Sequence, residues 1–213
     1  PEAYVQTLTL KGAADGRLFI RAEIGGDKPN AKLHIVVADP ADGTIVADEL
    51  LPAGMRKVRT EIATRAEHLW SPNDPYLYDV TATLEFGAAK SQGKQEKLQQ
   101  ESQEIQEKPA KSQEKQDIVR SYCAFRTVEI KPDLKGIARF HLNGKPVFLK
   151  GVLDQGYWPD GLLTAPSDEA LVHDIIAMKE SGFTMLRKHI KIESARWYYH
   201  CDRLGMLVWQ DAV

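Results

Sequence analysis

FTMLRKHIKIESARWYYHCDRLGMLVWQDAV, residues 183–213, carries a strand, a helix and a second strand in one run. FTMLRKHI reads as a strand. IESARWYYHCDRLG reads as a helix, with Trp197, Cys201 and Leu204 on one face and Gly205 just after it. MLVWQDAV reads as the next strand, apolar through Val208 and polar from Gln210. Working outward, PSDEALVHDIIAMKESG (166–182) is a second helix. Ser167 can cap it, and Asp168 and Glu169 lie in the first turn, where the helix dipole favours them. Leu171, Ile175 and Met178 form its apolar face, with Val172 and Ile176 beside them, and Gly182 ends it. Before it, IARFHLNGKPVFLKGV (137–152) alternates on both sides of Asn143-Gly144, which marks a hairpin. The order is therefore β-α-β-α-β, which favours parallel strands joined by helical crossovers. A (β/α)8 barrel and a doubly wound sheet both fit that spacing.

The first part of the chain has a different period. VQTLTL, RLFIRAEI, AKLHIVVA, TIVADEL, KVRTEIA and LYDVTATLEF lie between residues 5 and 86, and IVRSYCAFRTVEI spans 118–130. GAADG, GGDKPN, DPADG, PAGM and SPNDP separate the earlier runs. The alternation of Leu18, Ile20, Ala22 and Ile24 suits a sheet with one buried face. About seven short antiparallel strands at this spacing predict an immunoglobulin-like β-sandwich. Residues 87–117 hold eight Gln, six Lys and six acidic residues and no aromatic side chain. This composition predicts a flexible, solvated insertion within a hairpin. The expected domains are a sandwich over 1–131, with the 87–117 insertion, and the start of a barrel-type domain over 132–213.

Composition narrows the function. The 213 residues carry a net charge of −2, with 43% hydrophobic and 27% charged side chains. That balance gives no electrostatic case for nucleic acid or an anionic membrane. No apolar run is long enough to span a bilayer. Cys123 and Cys201 are expected to be free buried thiols. The six histidines form no HxxxH or HExxH pattern, so neither a zinc site nor any cofactor is expected. GxGxxG, GxxxxGK[ST] and GxSxG are absent as well.

What remains is a set of polar and aromatic residues at the carboxyl ends of the three parallel strands, the edge that carries active sites in α/β folds. Asp154, Gln155 and Trp158 follow the first strand, within LDQGYWPDG. Arg187 and His189 end the second, and Trp209 and Asp211 end the third. Aromatic rings beside carboxylates and amides suit a sugar, because rings stack on C–H faces while polar groups bond to hydroxyls. Structural roles compete at each position: a lid for Trp158, an ion pair for Arg187, a buried rim histidine for His189, and turn caps for Asp154 and Asp211.

Five segments, in order, resemble glycoside hydrolase family 2, the β-galactosidase, β-glucuronidase and β-mannosidase group. They are LWSPNDPYLYDVTATL (69–84), FRTVEI (125–130), FHLNGKPVFLKGV (140–152), DIIAMKESGFTMLRKHI (174–190) and YYHCDRLGMLVWQD (198–211). The resemblance implies a sandwich followed by the first β/α units of an incomplete (β/α)8 catalytic barrel. It also implies a jelly-roll domain ahead of PEAYVQTLTL, so the chain is expected to be a truncated part of a longer bacterial-type protein. The compartment stays open. Family members are retaining exo-β-glycosidases whose two catalytic carboxyl groups lie about 5 Å apart on later barrel strands. No catalytic residue within this chain matches either one, and the chain alone is expected to be inactive. Arg187 matches the family arginine that keeps the nucleophile ionised, and His189 approximates a sugar-contacting histidine. RKH departs from the RxSH pattern of classical β-galactosidases. The expected partners are a carbohydrate substrate and, through an exposed barrel edge, a second copy of the chain. A non-catalytic carbohydrate- or protein-binding immunoglobulin-like module is the alternative.

Overall fold

A computed structural model describes residues 3–26, 30–54, 56–86 and 115–211. The described residues are mostly β-strand, with two helices among them. Seven antiparallel strands form two sheets: β1 (Ala3–Gly12), β2 (Arg17–Gly26), β3 (Lys32–Ala38), β4 (Ile45–Pro52), β5 (Lys57–Ala63), β6 (Tyr78–Phe86) and β7 (Lys115–Cys123). One sheet runs β1-β2-β5 and the other β4-β3-β6-β7. Period-two alternation gives each sheet one apolar face. Leu18, Ile20, Ala22 and Ile24 of β2 meet Leu33, Ile35 and Val37 of β3 and Val80, Ala82 and Leu84 of β6 in one buried cluster. Burying a Leu, Ile or Val contributes about 1.5–3 kcal/mol, so this cluster is the main source of stability.

β6 and β7 pair antiparallel from Tyr78↔Cys123 to Phe86↔Lys115, so residues 87–114 lie between two hydrogen-bonded neighbours. The expected flexible insertion falls almost wholly outside the described residues. Its last three residues, 115–117, belong to β7 instead. The run 118–130, expected as one strand, is broken. Phe125 leaves the sheet to fill the core, 5.3 Å edge-on from Tyr78. It forms a parallel bridge with Gly12, where a Cβ would come within 2.5 Å of the Ala124 carbonyl oxygen. After the break, β8 (Val128–Pro132) pairs with β9 (Ala138–Leu142) and not with the sandwich. β9 turns at Asn143 and Gly144, both at positive φ, into the two-residue β10 (Lys145–Pro146).

The last part is a three-stranded parallel sheet with two helices. Its strands are β11 (Gly151–Asp154), β12 (Met185–Lys188) and β13 (Leu207–Gln210), in that order across the sheet. α1 (Asp168–Glu180) and α2 (Ala195–Leu204) connect them. Ser167 caps α1 by accepting from the Ala170 amide, and Gly205 ends α2 in the left-handed region. VFLKGV was expected as the first parallel strand. The paired segment begins at Gly151, four residues after the start of that run, and reaches Asp154. The hairpin keeps the start of that run, since Val147 N–H still donates to the Phe140 carbonyl at 2.8 Å, and Phe148 after it stands exposed.

A second apolar cluster, with Leu171, Ile175, Leu186, Trp197, Cys201 and Met206, lies between this sheet and its helices. Both cysteines are free and buried, and burial alone raises the Cys123 thiol to about 12. The two clusters are joined around Asp202 of α2. Its carboxylate accepts from the Tyr122 hydroxyl at 3.0 Å and pairs with Arg126 at 2.9 Å. Its carbonyl accepts from the buried Trp70 indole at 2.7 Å. Arg126 stacks 4.3 Å over the Trp70 ring.

Candidate functional site

Strand parity sorts the candidate residues. In the parallel ladder Val152, Leu186 and Val208 align, and so do Leu153, Arg187 and Trp209. Successive strand residues face opposite ways. The Val152–Leu186–Val208 row packs into the helix-side cluster, and Asp154, Lys188 and Gln210 lie on that same side. Leu153, Arg187 and Trp209 face the other way and are exposed. The ladder continues one residue past the strand ends. His189 N–H donates to the Asp154 carbonyl (2.9 Å), and Asp211 N–H donates to the Lys188 carbonyl (3.1 Å). Gln155, His189 and Asp211 thereby extend the open face.

Five of the seven sequence candidates meet on that face. Arg187 grips Asp211 with two hydrogen bonds, Nε to Oδ1 at 3.2 Å and Nη2 to Oδ2 at 3.0 Å. Such a forked pair fixes both groups in one plane. Gln155 Nε2 lies 2.9 Å from His189 Nδ1. Trp209 is 44% exposed and is steadied edge-on by Phe140 at 5.6 Å. Beneath it Phe140, Leu142, Val147, Leu149 and Leu207 help line an apolar groove of about 340 Å³. A planar cation, a carboxylate, an imidazole and an exposed indole at one strand edge can recognise a polyhydroxylated ring by hydrogen bonds and stacking.

Asp154 and Trp158 are placed differently. Trp158 packs against the helix-side cluster, and its backbone pairs with Leu162. Asp154 is bound into an ion cluster centred on Lys188, which is 1% exposed. Lys188 Nζ lies 2.7 Å from Asp154 Oδ2, 3.2 Å from Glu193 Oε1 and 4.2 Å over the Trp197 ring. Lys191 joins at 2.8 Å from Glu193 Oε1 and donates to the carbonyls of Gly156 and Leu163. Burial opposes the charge on Glu193, yet the Lys191 hydrogen bond and the Lys188 charge outweigh it and leave its carboxyl below the usual glutamate range. Sequence reasoning did not pick out this cluster. One signal was present, since Lys188 stands two residues after core Leu186 and so occupies a buried parity.

Among the described residues no group of three or more His, Cys, Asp or Glu side chains could hold a metal ion. No helix among them is long and apolar enough to cross a membrane.

No family profile matches the chain. It is 27% identical over 233 aligned residues to a β-galactosidase of Oenococcus oeni, across 100% of this chain and 19% of that protein. It is 34% identical over 88 residues to a β-galactosidase of Photobacterium profundum, across 41% of this chain and 8% of that protein. The solved β-glucuronidase of Parabacteroides merdae superposes with a TM-score of 0.73 at 20% identity, covering 99% of this chain and 24% of that one. The chain thus spans a fifth or less of the length of these two curated relatives. The chain is similar in sequence to β-galactosidases along its length and shares its fold with a β-glucuronidase, and both likenesses point to glycoside hydrolase family 2.

Proposed function

We propose that this chain supplies one wall of the substrate site of a retaining exo-β-glycosidase acting on terminal β-linked sugars. In this reading residues 1–131 are an immunoglobulin-like sandwich. Residues 132–213 are the first β/α units of a (β/α)8 barrel, and the small β8-β9-β10 sheet spans the junction. Three parallel strands in sequential order with helices on one side support that reading. Their helix-free face corresponds to a barrel interior.

The observation that carries the proposal is the convergence of Arg187, Asp211, Gln155, His189 and Trp209 on that face, at the carboxyl end of the strands. Retaining hydrolysis needs two carboxyl groups across the scissile bond. Arg187 and Asp211 are already committed to each other, and Glu193 is held on the helix side. In this reading neither Asp211 nor Glu193 serves as the acid/base or the nucleophile. Arg187 would lower the pKa of a neighbouring nucleophile by its charge.

The test uses the product of the uninterrupted reading frame containing this chain, assayed on a panel of aryl β-galactosides, β-glucuronides and β-mannosides. Product anomers are followed by proton NMR. Hydrolysis of one class with retained configuration is expected, and the 213-residue chain alone is expected to leave the panel intact. Inversion of configuration, or no hydrolysis of any β-glycoside by the whole protein, would refute the proposal.

A further inference from the structure

We propose that Gln155 fixes the tautomer of His189, holding a neutral imidazole whose Nε2–H is free to donate to a hydroxyl or carboxylate oxygen of the bound sugar. The sugar rests on the glycosidase reading above; the tautomer does not.

Gln155 Nε2 is 2.9 Å from His189 Nδ1. An amide NH2 group can only donate, so Nδ1 must accept and the ring proton must sit on Nε2. Among the described residues no hydrogen bond to His189 Nε2 is formed, so that N–H is left for a ligand.

The contact is held from both sides. His189 N–H donates to the Asp154 carbonyl, which sets residues 155 and 189 side by side as they leave their strands. Asp154 Oδ1 accepts from Gly156 N–H at 2.8 Å, and Lys191 Nζ donates to the Gly156 carbonyl at 3.0 Å. Lys188 anchors Asp154 itself. Gly156 has φ +60, and a Cβ there would lie 2.3 Å from Glu193 Oε1, so the turn closes over the ion cluster because that position is glycine. Gln155 is thus bracketed between two residues that the buried cations hold in place. It is a positioning residue, acting on substrate through His189.

This assignment gives the buried lysine cluster a purpose at the open face. It also gives His189 a fixed role as donor. A neutral Nε2–H donor serves galactoside hydroxyls and glucuronide carboxylates alike, and the substrate panel above separates those two sources.

The experiment is long-range nitrogen–proton NMR of 15N-histidine-labelled protein at neutral pH without sugar. His189 is assigned among the six histidines by the loss of its signals in His189→Asn. The expected wild-type pattern is an unprotonated Nδ1 and a protonated Nε2. Gln155→Leu is expected to collapse that difference toward an average of both tautomers. Gln155→Glu, whose carboxylate accepts, is expected to move the proton to Nδ1. An Nδ1–H ring in the wild type would overturn the proposal, and so would a pattern unchanged in both variants. Because no sugar is present, failure of the glycosidase reading would appear only in the hydrolysis assay and would leave this result intact.

Discussion

Lys188 occupies a position where the strand pattern calls for an apolar side chain, and the fold satisfies its charge with Asp154, Glu193 and the face of Trp197. A buried cation is tolerable only when paired, and removing one partner strands the others. Lys188→Met is therefore expected to destabilise the protein by about 3 kcal/mol, the low end for a broken buried pair. Lys191 still covers Glu193, and Asp154 keeps the Gly156 amide. Urea denaturation checks this value. The cluster also sets a pH dependence. Glu193 titrates below its ordinary 4.5 in the folded state. Its contribution is therefore complete above the unfolded value and is lost as pH falls through the lower folded one. Unfolding midpoints measured from pH 6 down to pH 3 should fall, and the fall should be shallower in Glu193→Gln. At this scale the sequence was half legible. The parity of Lys188 with Leu186 shows that it is buried. Its partner Asp154, 34 residues earlier, becomes visible only once β11 and β12 are set in register. The same parity puts Asp154 on the helix side, although it lies beside Gln155 in the sequence.

Among the elements, the helices were the most readable, because their caps are local chemistry. Ser167 and Gly205 stand where the sequence places them. Gly205 also meets a tertiary demand: a Cβ there would fall 2.2 Å from the Pro72 carbonyl oxygen. Gly205→Ala is expected to cost roughly 1–3 kcal/mol, from left-handed strain together with that clash. Thermal unfolding would show the loss, and Gly182→Ala serves as the comparison. Gly182 has a similar φ with nothing near its would-be Cβ, so it should lose less. The strands of the sandwich were legible for the reason Leu18, Ile20, Ala22 and Ile24 illustrate: one face is wet and the other dry. The short parallel strand β11 was not. VFLKGVLD is apolar nearly throughout, so periodicity cannot say which four residues pair. The answer depends on the hairpin holding Val147 through the Phe140 carbonyl and on β12 arriving later in the chain. The break at residues 124–127 was hidden likewise, since Phe125 continues the apolar pattern while leaving the sheet.

Across the whole molecule, Asp202 ties the sandwich to the parallel sheet through Trp70, Tyr122 and Arg126. The open strand face is thus held at a fixed attitude to the sandwich. Likeness along the chain points to the family, but the reaction depends on what that face does. Arg187 is the residue that joins the geometry to the chemistry, since it is locked to Asp211 and exposed beside Trp209 and His189. The most direct measurement is kcat/KM of the whole protein on its preferred aryl β-glycoside, wild type against Arg187→Ala, with circular dichroism to confirm that the variant is folded. If the open face is the substrate wall, activity should fall about 10²–10³-fold, the usual cost of removing one preorganised electrostatic group from an active site, and Arg187→Lys should recover part of it. A folded Arg187→Ala protein whose kcat/KM stays within a few-fold of wild type would contradict the account.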